Sequence, residues 1–438
     1  MPPDSSAESR PGMATPDSEP TSAVAADERL TYWSPLRIPA FRRLWCGNVL
    51  SNIGGWMQTA GAGWVMTELA PHDHREMFVA LLAAAGTCPV FLFGFLAGVL
   101  ADRFDRRKYL IVTQLWMMLA SAVLAVLAFT GLLSAWNLIA VMFCMGIGNA
   151  MNGPVWHAVV PEMVGRRYLP GAVALNSAGF NFGRTIGPVI GQILQGVAGT
   201  FALFAINAAT FAGVIFAVFT WKRPPEASAA QRREGFIAAF GSGIQFIRAT
   251  PALWAIWARA VCFFIPSCAF ATLLPLTGRD RLQLDAAEYG VLFSSFGVGA
   301  VLGTMLIPRL NRWFGSDRAN LVAMLAVAFG MGISAMIANA IVVGLALALA
   351  GGCWMIVNAN NNVATQHHLP SWVRARGMAV HQLVFFGSLA VGQTAWGVVA
   401  SQVGTAWALA CAAFLLVVLT GVAAAIRLPA AGAPPGGG

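Results

Sequence analysis

Amides, aromatic rings and an arginine stand inside apolar segments of this chain, at spacings suited to binding a small molecule. Residues three or four positions apart share one face of a helix, as Asn48, Asn52 and Trp56 do. The full set predicted to line one polar pathway is Asn48, Asn52, Trp56, Gln58, Asn149, Asn152, Trp156, Asn181, Arg184, Asn358, Asn361 and His381. No nucleophile–base pair or group of metal ligands stands out, so we expect neither an enzyme nor a metal or other cofactor. The alternative is that these amides only bond helices to one another.

Arg184 is the most informative of these residues because it stands near the centre of an apolar segment. An arginine there costs about 2.5–3.5 kcal/mol on insertion scales. No Asp or Glu lies in the middle of any predicted helix, so we expect carbonyls, amides, water or an anionic substrate as its partner. A functional role and a structural role both remain open for Arg184. Arg259 lies near the start of its helix and is expected to be structural, reaching the membrane surface.

The segments that carry these residues read as transmembrane helices. The composition is 58% hydrophobic and 10% charged, whereas soluble domains average about 45–50% apolar and roughly 25% charged. About 20 apolar residues span a bilayer core, and such runs recur along the chain. An all-α membrane protein of twelve helices is therefore predicted, at about 45–66, 78–101, 109–132, 135–155, 171–198, 200–221, 252–276, 289–307, 321–340, 341–364, 378–401 and 405–426.

The helices divide into two sets of six. The apolar pattern stops over residues 222–251, a predicted cytoplasmic linker between an N-terminal half (31–221) and a C-terminal half (252–427). Residues 1–30 and 428–438 are predicted to be disordered tails. Asn149 precedes Pro161 by the same interval as Asn358 precedes Pro370. Parallel repeats of this kind are typical of secondary transporters.

Charge placement predicts how the helices are oriented. The net charge is +9, and most Lys and Arg residues fall near the N-terminus, in the even-to-odd loops and near the C-terminus. By the positive-inside rule both termini are cytoplasmic, and the basic charge reflects topology rather than nucleic-acid binding. We expect no cleavable signal peptide, and we expect a multi-pass protein of the bacterial inner (plasma) membrane.

The loop between helices 2 and 3 resembles the signature loop of the major facilitator superfamily. Its matching residues are Gly98, Asp102, Arg103, Arg106 and Arg107, with Asp105 where the superfamily has a second glycine. The resemblance implies the major facilitator fold, with two pseudo-symmetric halves. It also implies a gating loop that holds the halves together, in which Asp102 meets the start of helix 11, where Arg374 and Arg376 offer charge partners.

Helix 5 carries a second resemblance. Gly183, Gly187, Pro188 and Gly191 are similar to the antiporter motif of the superfamily's drug exporters; close helix packing is the alternative interpretation. A closer resemblance, from Pro39 to about Ser401, is to the transmembrane secretion effectors, which include enterobactin (siderophore) exporters. It implies an exporter, driven by proton antiport, of a small organic compound such as a siderophore or drug.

Two other functions are compatible with the sequence. One is an uptake symporter for a small solute; the other is a membrane sensor or assembly factor that transports nothing. No phosphate-binding loop Gly-x-x-x-x-Gly-Lys-Ser/Thr occurs, so we expect no ATP hydrolysis by this chain. We expect a monomer whose partners are the lipid bilayer, a small-molecule substrate and protons. Candidate proton carriers are Glu68, Glu288, Asp102, His157 and His381.

Overall fold

The computed structural model describes residues 31–221, 245–370 and 372–426, without the side chains of Asp102 and Ala375. The predicted tails and most of the predicted linker lie outside these residues. The described chain is helical throughout, with no strand. Its first helices are α1 (Pro39–Leu69), α2 (Arg75–Arg103) and α3 (Arg106–Phe129), which follow a short 3-10 turn at Ser34–Arg37.

The next helical run is Ala135–Phe219, and two glycines divide it. Gly165 and Gly199 have φ of 70° and 77°, a left-handed conformation that favours glycine and ends an α-helix. The segments are α4 (135–164), α5 (166–198) and α6 (200–219). Helix 4 is therefore longer than the predicted 135–155, and the basic pair after Pro161 opens α5 rather than forming a loop. A single glycine is enough to turn the chain.

The C-terminal half repeats this plan. Helix α7 (Pro251–Thr272) is followed by short helical turns at Leu274–Leu276 and Thr277–Arg281. Gly315, with φ 75°, divides Ala286–Met336 into α8 (286–314) and α9 (316–336). Helices α10 (Ala340–His367), α11 (Arg374–Val403) and α12 (Thr405–Ala425) complete the described chain. This division is consistent with the twelve predicted spans. Counted without the glycine divisions, eight helices of the described residues are long and apolar enough to cross a membrane; α1 is not among them.

Side-chain caps fix where several helices begin. Asp105 accepts a hydrogen bond from the backbone of Lys108 at 2.9 Å and starts α3, so the residue that replaces the superfamily's glycine acts as an N-cap. Asp285 and Glu288 form a capping box at the start of α8, in which each side chain satisfies a backbone N–H. Acidic residues that precede α3 and α8 therefore determine where these two helices begin.

Small residues allow the closest helix contacts inside the N-terminal half. A Cβ at Gly183 would lie 2.8 Å from the backbone of Asn52, and one at Gly187 would lie 2.7 Å from the carbonyl oxygen of Ile53. A Cβ at Gly191 would collide with the side chain of Met57. The glycine ridge of α5 therefore packs directly on α1, which is the close-packing role predicted as the alternative for this motif.

The halves meet along two seams, α2 with α11 and α5 with α8. We call the end of the molecule that carries residues 70–74 and 277–285 the closed end, and the end that carries Gly165 and Gly315 the open end. One buried apolar cluster includes Met57, Phe204, Phe264 and Tyr289, and so belongs to both halves. Toward the open end each half has clusters of its own, around Leu110, Val159 and Val218 in one half and around Leu253, Trp257 and Leu369 in the other.

Candidate substrate pathway

Arg184 lies where α5 of one half meets α1 and α8. Its guanidinium carbon is 5.3 Å from the ring centroid of Trp56 on α1 and 4.3 Å from that of Phe296 on α8. The described residues offer it no carboxylate or hydrogen-bond acceptor, and its Nε is buried without a partner. A cation over an aromatic face gains about 0.5–2 kcal/mol, so the two rings offset part of the cost of an arginine at this depth.

Aromatic rings continue from Arg184 in both directions. Trp56 is 5.7 Å from Phe180 and 6.4 Å from Phe293. On the other side, Phe296 is 6.1 Å from Trp354 of α10. Trp354 in turn contacts Phe263 and Phe264 of α7, and Phe264 is 4.7 Å from Phe385 of α11. We call this set the aromatic belt: Phe180, Trp56, Phe293, Phe296, Trp354, Phe263, Phe264 and Phe385.

Sequence reasoning found only Trp56 of the aromatic belt. An aromatic residue in a membrane helix has the same sequence signature whether it faces lipid, another helix or a cavity. Phe296 does precede Gly297, whose backbone abuts the main chain of α5. A small residue beside a large one was therefore the available sign that α8 approaches α5 there.

The polar residues predicted to line the pathway differ in their burial and in their hydrogen bonds. Asn48 and Asn52 are partly buried on α1, while Asn149 on α4 is exposed. Asn181 donates to the carbonyl oxygen of Ser177 at 2.9 Å, and its own side-chain oxygen is buried without a partner. Trp156 packs against two apolar clusters of the N-terminal half.

Gln58 and Asn152 belong to networks inside the N-terminal half. Gln58 is buried, and its carbonyl oxygen accepts from Ser121 at 2.7 Å and from Asn207 at 2.6 Å. Asn152 accepts from Gln114 of α3 at 3.0 Å. These contacts match the alternative interpretation, in which amides bond helices of one half together.

The C-terminal half shows a similar division. Asn358 is partly buried and Asn361 is buried. His381 of α11 is buried, with Nδ1 3.3 Å from the hydroxyl of Thr365 on α10 and Nε2 without a partner. The strongest amide network here belongs to Asn360, which bonds to Asn311 and Asn320 at 2.7–3.1 Å and was not selected from the sequence.

The gating loop forms its described contacts within its own half. Arg106 pairs with Glu162 of α4 at 2.6 Å, and Arg107 donates to the carbonyl oxygens of Val218 and Phe219 on α6. Arg103 is exposed, and Gly98 has open space beside it.

On the opposite half, Arg374 donates to the carbonyl oxygen of Leu369, and Arg376 is partly buried. The side chain of Asp102 lies outside the described residues, so its meeting with these two arginines stays a prediction.

Among the described residues, two ion pairs join the halves at the closed end. Arg75 pairs with Asp280 at 3.1 Å. Arg279 pairs with Glu68 at 2.9 Å and stacks over Trp64 at 5.3 Å. Arg75 and Arg279 stand in loops on the side opposite to most Lys and Arg residues, and this exception to the positive-inside rule is the sign in the sequence of a second role.

Deeper along the α2–α11 seam, Thr87 donates to the side-chain oxygen of Gln393 at 2.6 Å. Among the described residues, the hydrogen bonds, ion pairs and ring contacts that join the halves lie between the closed end and the middle of the helices.

Arg259, the other intramembrane arginine, has a carboxylate. It is buried and pairs with Asp317 at 3.1 Å, just beyond the turn at Gly315. Both residues belong to the C-terminal half, which fits a structural role for Arg259, but the side chain is buried against Asp317 and does not extend to the surface as expected.

The chain is similar to bacterial exporters and to solved transporters. Macrolide efflux protein A of Streptococcus pyogenes is 25% identical over 67% of this chain and 71% of its own. The staphyloferrin A transporter of Staphylococcus aureus is 20% identical over 75% and 81%. The enterobactin exporter of Shigella boydii is 26% identical over 66% and 67%.

Among solved structures, a bacterial homologue of the human lysosomal transporter Spinster, in an inward-facing and unoccupied conformation, superposes with a TM-score of 0.70. It is 14% identical and covers 90% of this chain and 96% of its own. The nucleoside transporter NupG gives 0.71 at 13% identity, over 88% and 98%. Both confirm the major facilitator fold. The family model of the transmembrane secretion effectors matches residues 30–434, nearly the whole chain, and the protein belongs to this family of membrane transporters.

Proposed function

We propose that the protein is a secondary active exporter that works by alternating access. The observation that carries the proposal is the unequal contact between the halves. The buried cluster that the halves share takes its N-terminal-half residues from the closed-end part of the helices, whereas each half also has separate clusters toward the open end. Alternating access needs a pathway that is open on one side of a central site at a time, and this arrangement supports it.

The open end is the cytoplasmic end in this proposal. The basic residues of the loop between α2 and α3 stand there, and the positive-inside rule assigns such loops to the cytoplasm. Both termini then lie on the same side. The conformation described above is therefore inward-facing, ready to take up a cargo from the cytoplasm, and a single chain contains the whole pathway.

The cargo proposed is a small organic compound of the siderophore or drug class. The relatives named above export or transport a macrolide, staphyloferrin A and enterobactin. The aromatic belt supports a partly apolar cargo, since binding sites for such molecules are mostly apolar and aromatic with a few polar groups. Arg184 and the amides of α1 and α5 are its polar groups.

We propose proton antiport as the energy source, because the glycines and proline between Gly183 and Gly191 resemble the antiporter motif. Of the candidate carriers, Glu68 forms an ion pair with Arg279 of the other half. Loss of the Glu68 charge would weaken this contact between the halves. Glu288 is engaged in the capping box of α8. His381 lies between α10 and α11.

Inside-out membrane vesicles provide the test. With the vesicle lumen made more acidic than the outside, a transported siderophore or macrolide should enter the lumen in exchange for protons that leave it, so that the proton gradient dissipates and the compound accumulates in the lumen. Dissipation should be absent from vesicles without the protein. Accumulation only in right-side-out vesicles would instead support the uptake symporter.

The non-transporting alternative is tested by cysteine labelling. Single cysteines at positions 52, 149 and 181 should react with a membrane-impermeant maleimide. If none of the three reacts from either side and no compound accumulates, the protein is not a carrier, and a sensor or assembly factor is the better description.

A further inference from the structure

Arg184 has an environment that the other intramembrane arginine lacks. Arg259 donates to a carboxylate of its own half, whereas Arg184 has rings of both halves against it and no acceptor among the described residues. Aromatic rings interact with the face of a guanidinium. They do not engage the N–H groups that lie in its plane, and the Nε of Arg184 is buried without a partner.

The in-plane donors of Arg184 form a fork that matches a carboxylate. A guanidinium binds a carboxylate through two parallel hydrogen bonds, and such charge-assisted bonds are the strongest available to a side chain. The position suits a cargo as well. Trp56 comes from the N-terminal half and Phe296 from the C-terminal half, so an anion bound at Arg184 sits at the boundary that must rearrange during transport.

The aromatic rings around Arg184 indicate the shape and polarity of the rest of an anionic cargo molecule. Phe180 and Phe293 stand beside Trp56, and Trp354 stands beside Phe296. A flat apolar body can lie against these rings while its carboxylate meets the guanidinium. A cationic compound of the same shape meets the unpaired charge of Arg184 instead, and is repelled.

We infer that Arg184 and the rings around it form a subsite for an organic anion, a carboxylate joined to an aromatic or other flat apolar body. The inference rests on the proposed function and narrows its cargo. Within the siderophore and drug class it favours anionic compounds over cationic ones.

Three naphthalene compounds test the inference, because they share one body and differ in charge. Naphthalene carboxylate, naphthalene carboxamide and naphthylmethylammonium are offered to the purified full-length protein in lipid nanodiscs, with empty nanodiscs as the blank. Equilibrium dialysis measures their affinities. The wild type should bind the carboxylate at least about tenfold more tightly than the ammonium compound, as charge-assisted pairing predicts.

Variants then assign the preference to Arg184. Arg184→Gln should abolish it, and Arg184→Lys should retain part of it, because lysine keeps the charge but not the fork. Phe296→Leu should weaken the binding of all three compounds and leave the preference in place. The matched control is Arg259→Gln, an intramembrane arginine of the same chain, which should leave the preference unchanged. Size-exclusion profiles establish that each variant is folded.

Equal affinities of the three compounds for the wild type would overturn the inference, as would a preference that survives Arg184→Gln. If Arg184→Gln does not fold, Arg184→Lys decides, since an undiminished preference there overturns the inference too. Failure of the proposed function looks different. Vesicles that accumulate nothing while the purified protein prefers the carboxylate would remove export but leave the subsite.

Discussion

The two ends of the molecule use their charged residues differently. At the closed end, Arg75 and Arg279 form ion pairs across the boundary between the halves. At the open end, two ion pairs each stay within their own half: Arg106 pairs with Glu162 in the N-terminal half, and Arg259 pairs with Asp317 in the C-terminal half. Pairs within a half stabilise the moving bodies, whereas pairs between halves stabilise one conformation of the transporter. The closed end is therefore where mutations should shift the conformational equilibrium.

The ends also differ in how closely the backbones approach. Gly290 and Gly297 of α8 abut the backbone of α5, with an added Cβ only 2.9 Å from the carbonyl oxygens of Pro188 and Arg184. Toward the open end, the buried clusters of the two halves no longer join. Because backbone contact tolerates no extra atoms, close packing rather than charge should dominate the stability of the closed end.

Gly297→Leu should have the largest effect on this difference. Its Cβ would stand 2.9 Å from the carbonyl oxygen of Arg184 and from Cα of Thr185, and such overpacking typically costs about 1–3 kcal/mol. Transport in inside-out vesicles should fall by about tenfold or more. A reporter cysteine at Gln192, which is fully buried beside Gly290, should react faster with maleimide in a background without the native cysteines.

Gly421→Leu is the matched control for Gly297→Leu. Gly421 is exposed on α12 and has no atom within 4 Å of an added Cβ. It should transport and label like the wild type. A wild-type rate in Gly297→Leu would mean that the α5–α8 seam does not need to close as tightly as described.

Glu162→Gln should lower stability without shifting the conformation. The Glu162 side chain is only 11% exposed and lies 2.6 Å from Arg106 within the same half. Loss of its charge weakens a bond of the charge-assisted kind, of about 1.5–3 kcal/mol. The midpoint of thermal unfolding should fall by a few degrees while labelling of the Gln192 reporter stays unchanged. As a control, Asp73→Asn, at an exposed position of the closed end, should change neither the unfolding midpoint nor the reporter labelling. Faster labelling in Glu162→Gln would contradict the assignment of the Arg106–Glu162 pair to one half.

Thr87→Val should give a smaller shift of conformation. It removes the hydrogen bond that Thr87 donates to Gln393 across the α2–α11 seam at 2.6 Å, and a typical hydrogen bond contributes about 0.5–1.5 kcal/mol. Reporter labelling should rise by about two- to tenfold. Thr394→Val is its control, since that hydroxyl bonds only to the carbonyl oxygen of Ala390 in its own helix. Equal changes in both variants would show that the effect is not specific to the seam.

Much of the fold could be predicted from the sequence because lipid imposes a strong rule. Apolar runs and basic loops identify spans and halves without any knowledge of packing. Helix ends were less predictable, because Gly165 alone separates α4 from α5, and the residues on both sides of it continue the helix. Nothing in the spacing of Arg166 and Arg167 distinguishes a loop from the first turn of a helix.

The site was predicted in part. Helical stripes selected Trp56 and Arg184, which contact Phe293 and Phe296 of the other half. The predicted set also included Gln58, which bonds to Ser121 and Asn207 inside one half. A stripe shows which residues share a face and not which helix that face meets. Phe296 and Trp354 were missed for the same reason, since their role depends on helices that lie far apart in the sequence.

Charge reversal of Glu68 and Arg279 should have the smallest effect on the closed end. The side chains are 45% and 34% exposed, and exposed ion pairs contribute only about 0.2–1 kcal/mol. Glu68→Arg or Arg279→Glu alone should raise the rate of reporter labelling by less than about fivefold. The rise should be smaller at high salt, because salt screens the ion pair. The double exchange should restore only part of the wild-type rate, because it removes the stacking of the Arg279 guanidinium over Trp64, which a carboxylate cannot replace. A larger effect here than in Gly297→Leu would mean that ion pairs, and not backbone packing, hold this end closed.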